Sequence, residues 1–108
     1  MNKGEIWLVE LMFKTGREQS GTRPCIIIAP TKTKMVIVVP LTSNLQALRF
    51  ADTIQIKRSL ENNLEKNSVG LIFHLQSIDK RRLIRNLGRV EKIYMNDINA
   101  RLKHLLSI

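Results

Sequence analysis

Cysteine occurs once in these 108 residues, as Cys25, so no internal disulfide framework is available and a reducing compartment is expected. Histidine is almost as scarce. His74 and His104 stand far apart, and with a single thiol they form no cluster at zinc-like spacing. The few acids are scattered, so neither a metal nor any other cofactor is expected. No apolar run approaches the length of a membrane span. The N-terminus passes from Met1-Asn2-Lys3 directly into an alternating pattern, without the apolar stretch of a signal peptide. A cytoplasmic protein without a membrane partner is therefore expected. Repeats, linkers and low-complexity segments are also missing, which leaves one domain over residues 1–108.

Acidic residues are the other shortage. Nine Asp and Glu face eighteen Lys and Arg, a formal net charge of +9. Polyanions or an acidic protein are the partners such a balance attracts, and the alternative is a basic surface that serves only solubility. Apolar residues make up 44% of the chain, enough for a globular core. Cys25 opens the run Cys25-Ile26-Ile27-Ile28-Ala29, which reads as buried filler rather than as a nucleophile.

Period-two alternation marks a first strand over Glu5 to Phe13, with Ile6 and Leu8 on one face and Trp7, Val9, Leu11 and Phe13 on the other. Trp7 and Phe13 read as core, with base stacking as the alternative. Pro24 to Ala29 and Met35 to Val39 are β-prone runs joined by a short turn, which predicts a hairpin. Pro40 has no N–H and is expected to end the regular pairing of the second run. A fourth strand is expected over 52–56 and a turn over 58–67, where Asn62-Asn63 tolerate positive φ. A fifth strand is expected over 68–75, a short helical turn over 79–85 and a last strand over 87–90. From Glu91 onward Met95, Ile98, Leu102 and Leu105 recur at helical spacing, predicting a C-terminal helix. The resulting class is mainly β with a C-terminal helix, a small barrel or strongly bent sheet.

Candidate chemistry concentrates in Gly16-Arg17-Glu18-Gln19-Ser20-Gly21-Thr22-Arg23-Pro24. Pro24 holds its own φ and pushes Arg23 into extended backbone, so the guanidinium is aimed by a stiff chain. Gly16 and Gly21 permit turns or close backbone approach. The segment reads as an anion-holding loop or as an ordinary β connection. In the predicted hairpin Arg23 precedes the first strand and Thr42 follows the second, so both reach the same open end. A guanidinium beside a hydroxyl is a cradle for phosphate, with Arg neutralising charge on phosphoryl oxygens and Thr donating a proton. Glu18 is a candidate base or an orienter of Arg23. Two cationic groups, Lys14, Arg17, Arg23, Lys32 and Lys34, then Lys80, Arg81, Arg82, Arg85 and Arg89, fit phosphate tracking or a solvated face.

Gly16-x-Glu18-Gln19-x-Gly21-x-Arg23-Pro24 before an aliphatic strand, Pro40-Leu41-Thr42-Ser43, and Ser77-Ile78-Asp79-Lys80 follow one another in order. With the opening Lys3-Gly4-Glu5-Ile6-Trp7, this set resembles the MazF/PemK family of toxin endoribonucleases over nearly the whole chain. The resemblance implies an SH3-like barrel of the MazF/CcdB type that dimerises, cleaves single-stranded mRNA at short motifs without a metal, and is silenced by an acidic antitoxin. It implies that Arg23 is the main catalytic arginine, Thr42 its hydroxyl partner and Glu18 a catalytic position in some members. Lys14, Arg17, Gln19, Ser43 and Asn44 are the implied RNA contacts. Leu71 and Phe73 stand where the PemK branch draws a catalytic Arg and Asp, so the MazF branch is the closer match. Phe73-His74 replaces an acid and Gln common in the family, and His74 reads as a structural residue or a substitute base.

Two rival classes share the fold. A CcdB-like gyrase poison relies on a Trp near its C-terminus, whereas this chain ends Leu105-Leu106-Ser107-Ile108 and its one Trp is Trp7. A degenerate barrel that binds RNA without cutting it is the other.

Overall fold

In the computed structural model, which describes residues 1–11 and 21–108, the β-prone runs assemble into one antiparallel sheet and the helical repeat folds across it. Strand β1 is Glu5–Leu11, β2 Gly21–Ala29, β3 Met35–Thr42, β4 Thr53–Ile56, β5 Ser68–Leu71, β6 Gln76–Asp79 and β7 Leu83–Arg89, followed by helix α1, Lys92–Leu106. The pairing path runs β4-β5-β3-β2-β1-β7, with β6 attached to β3. Among the described residues no ladder joins β4 to β7, so the sheet is strongly bent and open. The part of the first strand expected at Met12 and Phe13 lies outside the described residues.

β3 carries three partners. One edge pairs with β2 in the register Cys25↔Pro40, Ile26↔Val39 and Ile27↔Val38. The other edge is divided, Met35 to Val38 against β6 and Leu41 to Thr42 against β5. The single strand expected over 68–75 is therefore two strands. A 3-10 turn at Ile72–His74 separates them, closed by Leu75 N–H donating to the Ile72 carbonyl at 3.1 Å. One straight strand cannot follow both halves of a bent neighbour, and the turn absorbs the corner.

Pro40 does not end the pairing of its strand as expected; it sits opposite Cys25 within β3. It lies between Val38, the last residue of β3 paired with β6, and Leu41, the first paired with β5. The helical turn expected over 79–85 is confined to Lys80–Arg82, capped by Asp79 accepting from Arg81 N–H at 2.8 Å. β7 begins immediately after it and reaches back further than the short strand expected over 87–90. The fourth strand and the C-terminal helix fall where periodicity puts them.

Both faces of the sheet are covered, which is why β2 reads as a continuous aliphatic run and not as a strict alternation. Ile6, Ile26, Val39, Leu41, Ile56 and Ile98 belong to the cluster beneath the helix. Within that helix Ile98 and Leu102 are buried, and Met95 and Leu105 pack at the margin. Val9, Cys25, Ile27, Val36, Val38 and Ile78 form the second cluster, with Trp7 packed against it. Trp7 is thus core on its apolar side, while its indole N–H donates to Glu5 at 2.9 Å. That bond holds the Glu5 carboxyl below its usual range.

The 57–67 segment is fastened onto the sheet end. Asn62, fully buried, accepts from Ser59 N–H at 2.9 Å and Leu64 N–H at 3.1 Å, and donates to the Lys57 carbonyl at 2.8 Å and Glu91 at 2.9 Å. Asn63 takes the positive φ expected of this pair, at 54°. Gly88 of β7 lies directly beneath the segment. A Cβ built there would stand 2.5 Å from the Glu61 carbonyl oxygen. Gly88→Ala is expected to lower stability by about 1–3 kcal/mol, because backbone has to move to accept the methyl. Urea unfolding checks this, and an unchanged midpoint would refute the close approach.

Candidate active site

The hairpin register that places Cys25 opposite Pro40 brings the start of β2 and the end of β3 to one end of the sheet. Two residues further along each strand stand Arg23 and Thr42, and both line the same groove of about 790 Å³. Arg23 is held from its other side by β1, where it faces Val9. Pro24 follows it in the groove wall beside Leu8, its partner across the ladder. Thr42 is held by β5 opposite Val69. The Thr42 hydroxyl oxygen accepts from Asn44 N–H at 3.2 Å, and Asn44 Oδ1 in turn caps the 3-10 turn Leu45–Arg49 by accepting from Gln46 N–H at 3.1 Å. Those bonds leave the Thr42 O–H proton pointing away from Asn44, available to an incoming acceptor.

Ser43 and Asn44, expected as contacts, line this groove as well. Lys14, Arg17, Glu18, Gln19 and Gly16 lie outside the described residues. Gly21 is extended and opposite Leu11, with no described atom within 4 Å of a Cβ built on it. The turn or close approach anticipated for it is therefore not found among the described residues.

The facing wall comes from the 57–67 turn and the start of β5, of which sequence reasoning named no individual residue as a contact. It consists of Asn63 to Lys66 and Ser68, and its orientation follows from Leu64, which is buried in the helix-side core. Asn63 Nδ2 donates to the Leu87 carbonyl at 3.1 Å, tying this wall to β7. The only sequence signal was the Asn62-Asn63 pair, which marks a turn but not what the turn faces. Between the walls, Leu8, Leu41 and Leu87 contribute an apolar floor.

The second cationic group divides once it is placed. Lys80 Nζ donates to the Thr31 carbonyl at 2.6 Å, Arg81 pairs with Asp79 at 3.0 Å and Arg89 Nη1 donates to the Lys3 carbonyl at 3.4 Å. Those three serve the fold. Arg85, opposite Leu8 on β7, lines the groove. His74 does not. It is exposed in the 3-10 turn Ile72–His74 and stacks on Phe73, with ring centroids 6.1 Å apart and planes 8° apart. Among the described residues no group of three or more His, Cys, Asp or Glu is placed to hold a metal ion.

A cationic groove presenting a guanidinium and a hydroxyl at the open end of a bent sheet is a phosphate-binding arrangement. The sequence profile of the family described as "PemK-like, MazF-like toxin of type II toxin-antitoxin system" matches residues 2–106. The chain belongs to this toxin family. Endoribonuclease PemK of Escherichia coli is 36% identical over 113 residues, covering 99% of the chain and 83% of the relative. Endoribonuclease MazF of Staphylococcus saprophyticus is 30% identical over 107 residues, covering 92% and 85%. The crystal structure of MazF (Form-I) from Deinococcus radiodurans superposes with a TM-score of 0.80 at 21% identity, covering 100% of this chain and 97% of that one. An endoribonuclease in complex with its cognate antitoxin from a mycobacterial species gives 0.76 at 20% identity, covering 98% and 94%. At those identities the likeness is one of fold, and it places the bent sheet with its C-terminal helix among MazF structures.

In this member of the PemK/MazF-like family the single thiol is buried in the second cluster. Burial pushes the Cys25 thiol up to about 12, against a smaller opposing pull from Arg23. The unfolded chain ionises this thiol near its ordinary value while the folded chain keeps it protonated. The contribution to stability is therefore intact below pH 9 and is lost as pH rises towards 12, by up to about 1.4 kcal/mol per pH unit. At pH 8 a thiol reagent is expected to label native protein far more slowly than protein in denaturant. Equal labelling rates would contradict the burial.

Proposed function

We propose that the chain is the toxin of a type II toxin–antitoxin pair and acts as a metal-independent endoribonuclease on single-stranded mRNA. The observation that carries this reading is the convergence of Arg23 and Thr42 on one groove in a chain of this family. Family members named PemK and MazF are endoribonucleases, and the net charge of +9 suits an RNA backbone.

In this mechanism the scissile phosphate lies against Arg23, whose guanidinium offsets the charge that grows on the phosphoryl oxygens. Thr42 donates its O–H to one of those oxygens and fixes the phosphate in register. A base removes the proton of the ribose 2′-OH; the 2′-oxygen then forms a bond to phosphorus as the bond to the 5′-oxygen breaks and that oxygen is protonated. The products are a 2′,3′-cyclic phosphate and a 5′-hydroxyl. Glu18 is the base this reading inherits from the family pattern, with Lys14, Arg17, Gln19, Ser43 and Asn44 contacting RNA along the groove. The 2′-OH requirement restricts the reaction to RNA.

The same groove accounts for inhibition. An acidic, largely disordered antitoxin segment folds into it and competes for the cations that hold phosphate. Toxin, antitoxin and mRNA meet in the cytoplasm; no helix among the described residues is long and apolar enough to cross a membrane. A homodimer is part of the reading, and its support is an apolar patch beside the groove. Leu45, Leu48, Phe50 and Phe73 are each exposed, with Phe50 and Phe73 meeting edge to face at 6.1 Å and Arg49 over the Phe50 ring at 5.0 Å. An exposed cluster of this kind marks an interaction site.

Incubation of purified protein with a long RNA in EDTA tests the enzyme. Discrete cuts with 5′-hydroxyl ends are expected, and Arg23→Ala is expected to slow them by about 100- to 1,000-fold with the fold retained. Thr42→Ala is expected to cost about 10-fold or more through loss of one hydrogen bond to the phosphate. Binding without cutting would favour the degenerate barrel instead, and full activity of Arg23→Ala would sink the assignment. For the dimer, Phe50→Asp is expected to shift the protein from dimer to monomer in sedimentation equilibrium; a wild-type monomer would rule the patch out as a self-interface.

A further inference from the structure

Glu65 is the one carboxylate among the described residues lining the groove. The side chain is exposed and makes no hydrogen bond or ion pair with any described residue, neither with the adjacent Lys66 nor with Arg85. In a groove that recruits phosphate, a carboxylate without an ion-pair partner among the described residues repels the backbone of the ligand, so Glu65 is not a phosphate contact. An ionised carboxylate is an acceptor only. Its counterpart on an RNA strand has to be a hydrogen-bond donor, and phosphates carry none.

The backbone around Glu65 is held on both sides. Leu64 before it is buried in the core, and its N–H donates to buried Asn62. After it, Asn67 Oδ1 accepts from Arg58 N–H at 2.9 Å and Ser68 begins β5. Gly88 beneath Glu61 fixes the height of the segment over β7. The backbone position from which the side chain projects is thereby fixed relative to the groove. It also faces a floor of aliphatic side chains on which the flat face of a base can rest.

We propose that Glu65 is a specificity-determining residue that selects guanine at one position of the RNA. This rests on the ribonuclease reading above. Unstacked bases of single-stranded RNA are read on their Watson–Crick edges. Guanine presents the ring N1–H and the exocyclic amine side by side, a pair of donors that matches the two oxygens of a carboxylate in the bidentate manner of an Arg–carboxylate pair. Uracil offers one N–H between two carbonyl oxygens that repel the carboxylate. Adenine and cytosine each offer one amine beside a ring nitrogen acceptor. The 2′-OH is a single donor present on every nucleotide and carries no discrimination.

Mapping of cut ends on a long RNA by primer extension, for wild type, Glu65→Gln and Glu65→Asp, tests this. Wild type is expected to require guanine at one position near the scissile bond. Glu65→Gln, which keeps the shape but removes the second acceptor and the charge, is expected to lose about 5- to 150-fold of the discrimination at that position and none elsewhere. Glu65→Asp retains the charge but withdraws the acceptors, and is expected to lose discrimination at the same position. An unchanged motif in both variants overturns the assignment, as does a uniform change at all positions, which would be charge alone. Loss of all cutting in a folded Glu65→Gln variant would make the residue catalytic and likewise overturn it. A wild-type motif without guanine refutes this inference and leaves the ribonuclease reading standing. Wild-type protein that cuts no RNA refutes both.

Discussion

The structure hangs on β3. One strand supplies ladder bonds to β2 along one edge and divides the other between β6 and β5, so the two halves of the sheet are joined through its backbone. Such sharing is possible only if the strand bends and its outer partners change over without leaving a buried N–H unpaired. Pro40 stands at that changeover, opposite Cys25. The two aliphatic residues just before it, Val38 and Val39, belong to different cores. Covering both faces in this way makes a thin sheet stable in a chain of this length.

The groove is a by-product of that bend. β3 runs two residues past Pro40 with β5 as its partner, and Thr42 is thereby carried to the level of Arg23 on the far side of the hairpin. The floor consists of Leu8 of β1, Leu41 of β3 and Leu87 of β7. The opposite wall comes from the segment pinned by buried Asn62 and seated on Gly88. Arg23 and Thr42 are thus positioned by ladders, while Asn63 to Lys66 are positioned by side-chain hydrogen bonds. The groove thus has one wall set by strand pairing and one set by a loop.

Much of the secondary structure was legible because its signals are local. Alternation in β1, aliphatic runs in β2 and β3, and the spacing of Met95, Ile98, Leu102 and Leu105 report the face each residue buries. The hairpin itself was legible, and with it the meeting of Arg23 and Thr42. Three boundaries were not. Residues 68–75 read as one strand because Ile72 continues the apolar pattern into the 3-10 turn, and only the bend of β3 requires the break. Pro40 read as a terminator because its local effect is to remove a donor, and whether a donor is needed depends on strands distant in sequence. β7 began earlier than expected because Leu83 and Ile84 follow a basic run that resembles a surface turn.

Charge was legible as a total and not as a distribution. The sum of +9 pointed to a polyanion, yet Lys80, Arg81 and Arg89 are spent on carbonyls and a carboxylate, while Arg23, Lys66 and Arg85 line the groove. His74, adjacent in sequence to candidate positions, is turned outward onto Phe73. The sequence by itself determined the family, the strand-rich class, the burial of Cys25 and the placing of Arg23 and Thr42 at one end of the sheet, because each depends on local pattern or on a short hairpin. Tertiary structure alone decided that Glu65 faces those two residues across a groove and that β3 serves three partners. Such relations arise where segments far apart in the chain are packed together, and no local pattern encodes which of them will meet.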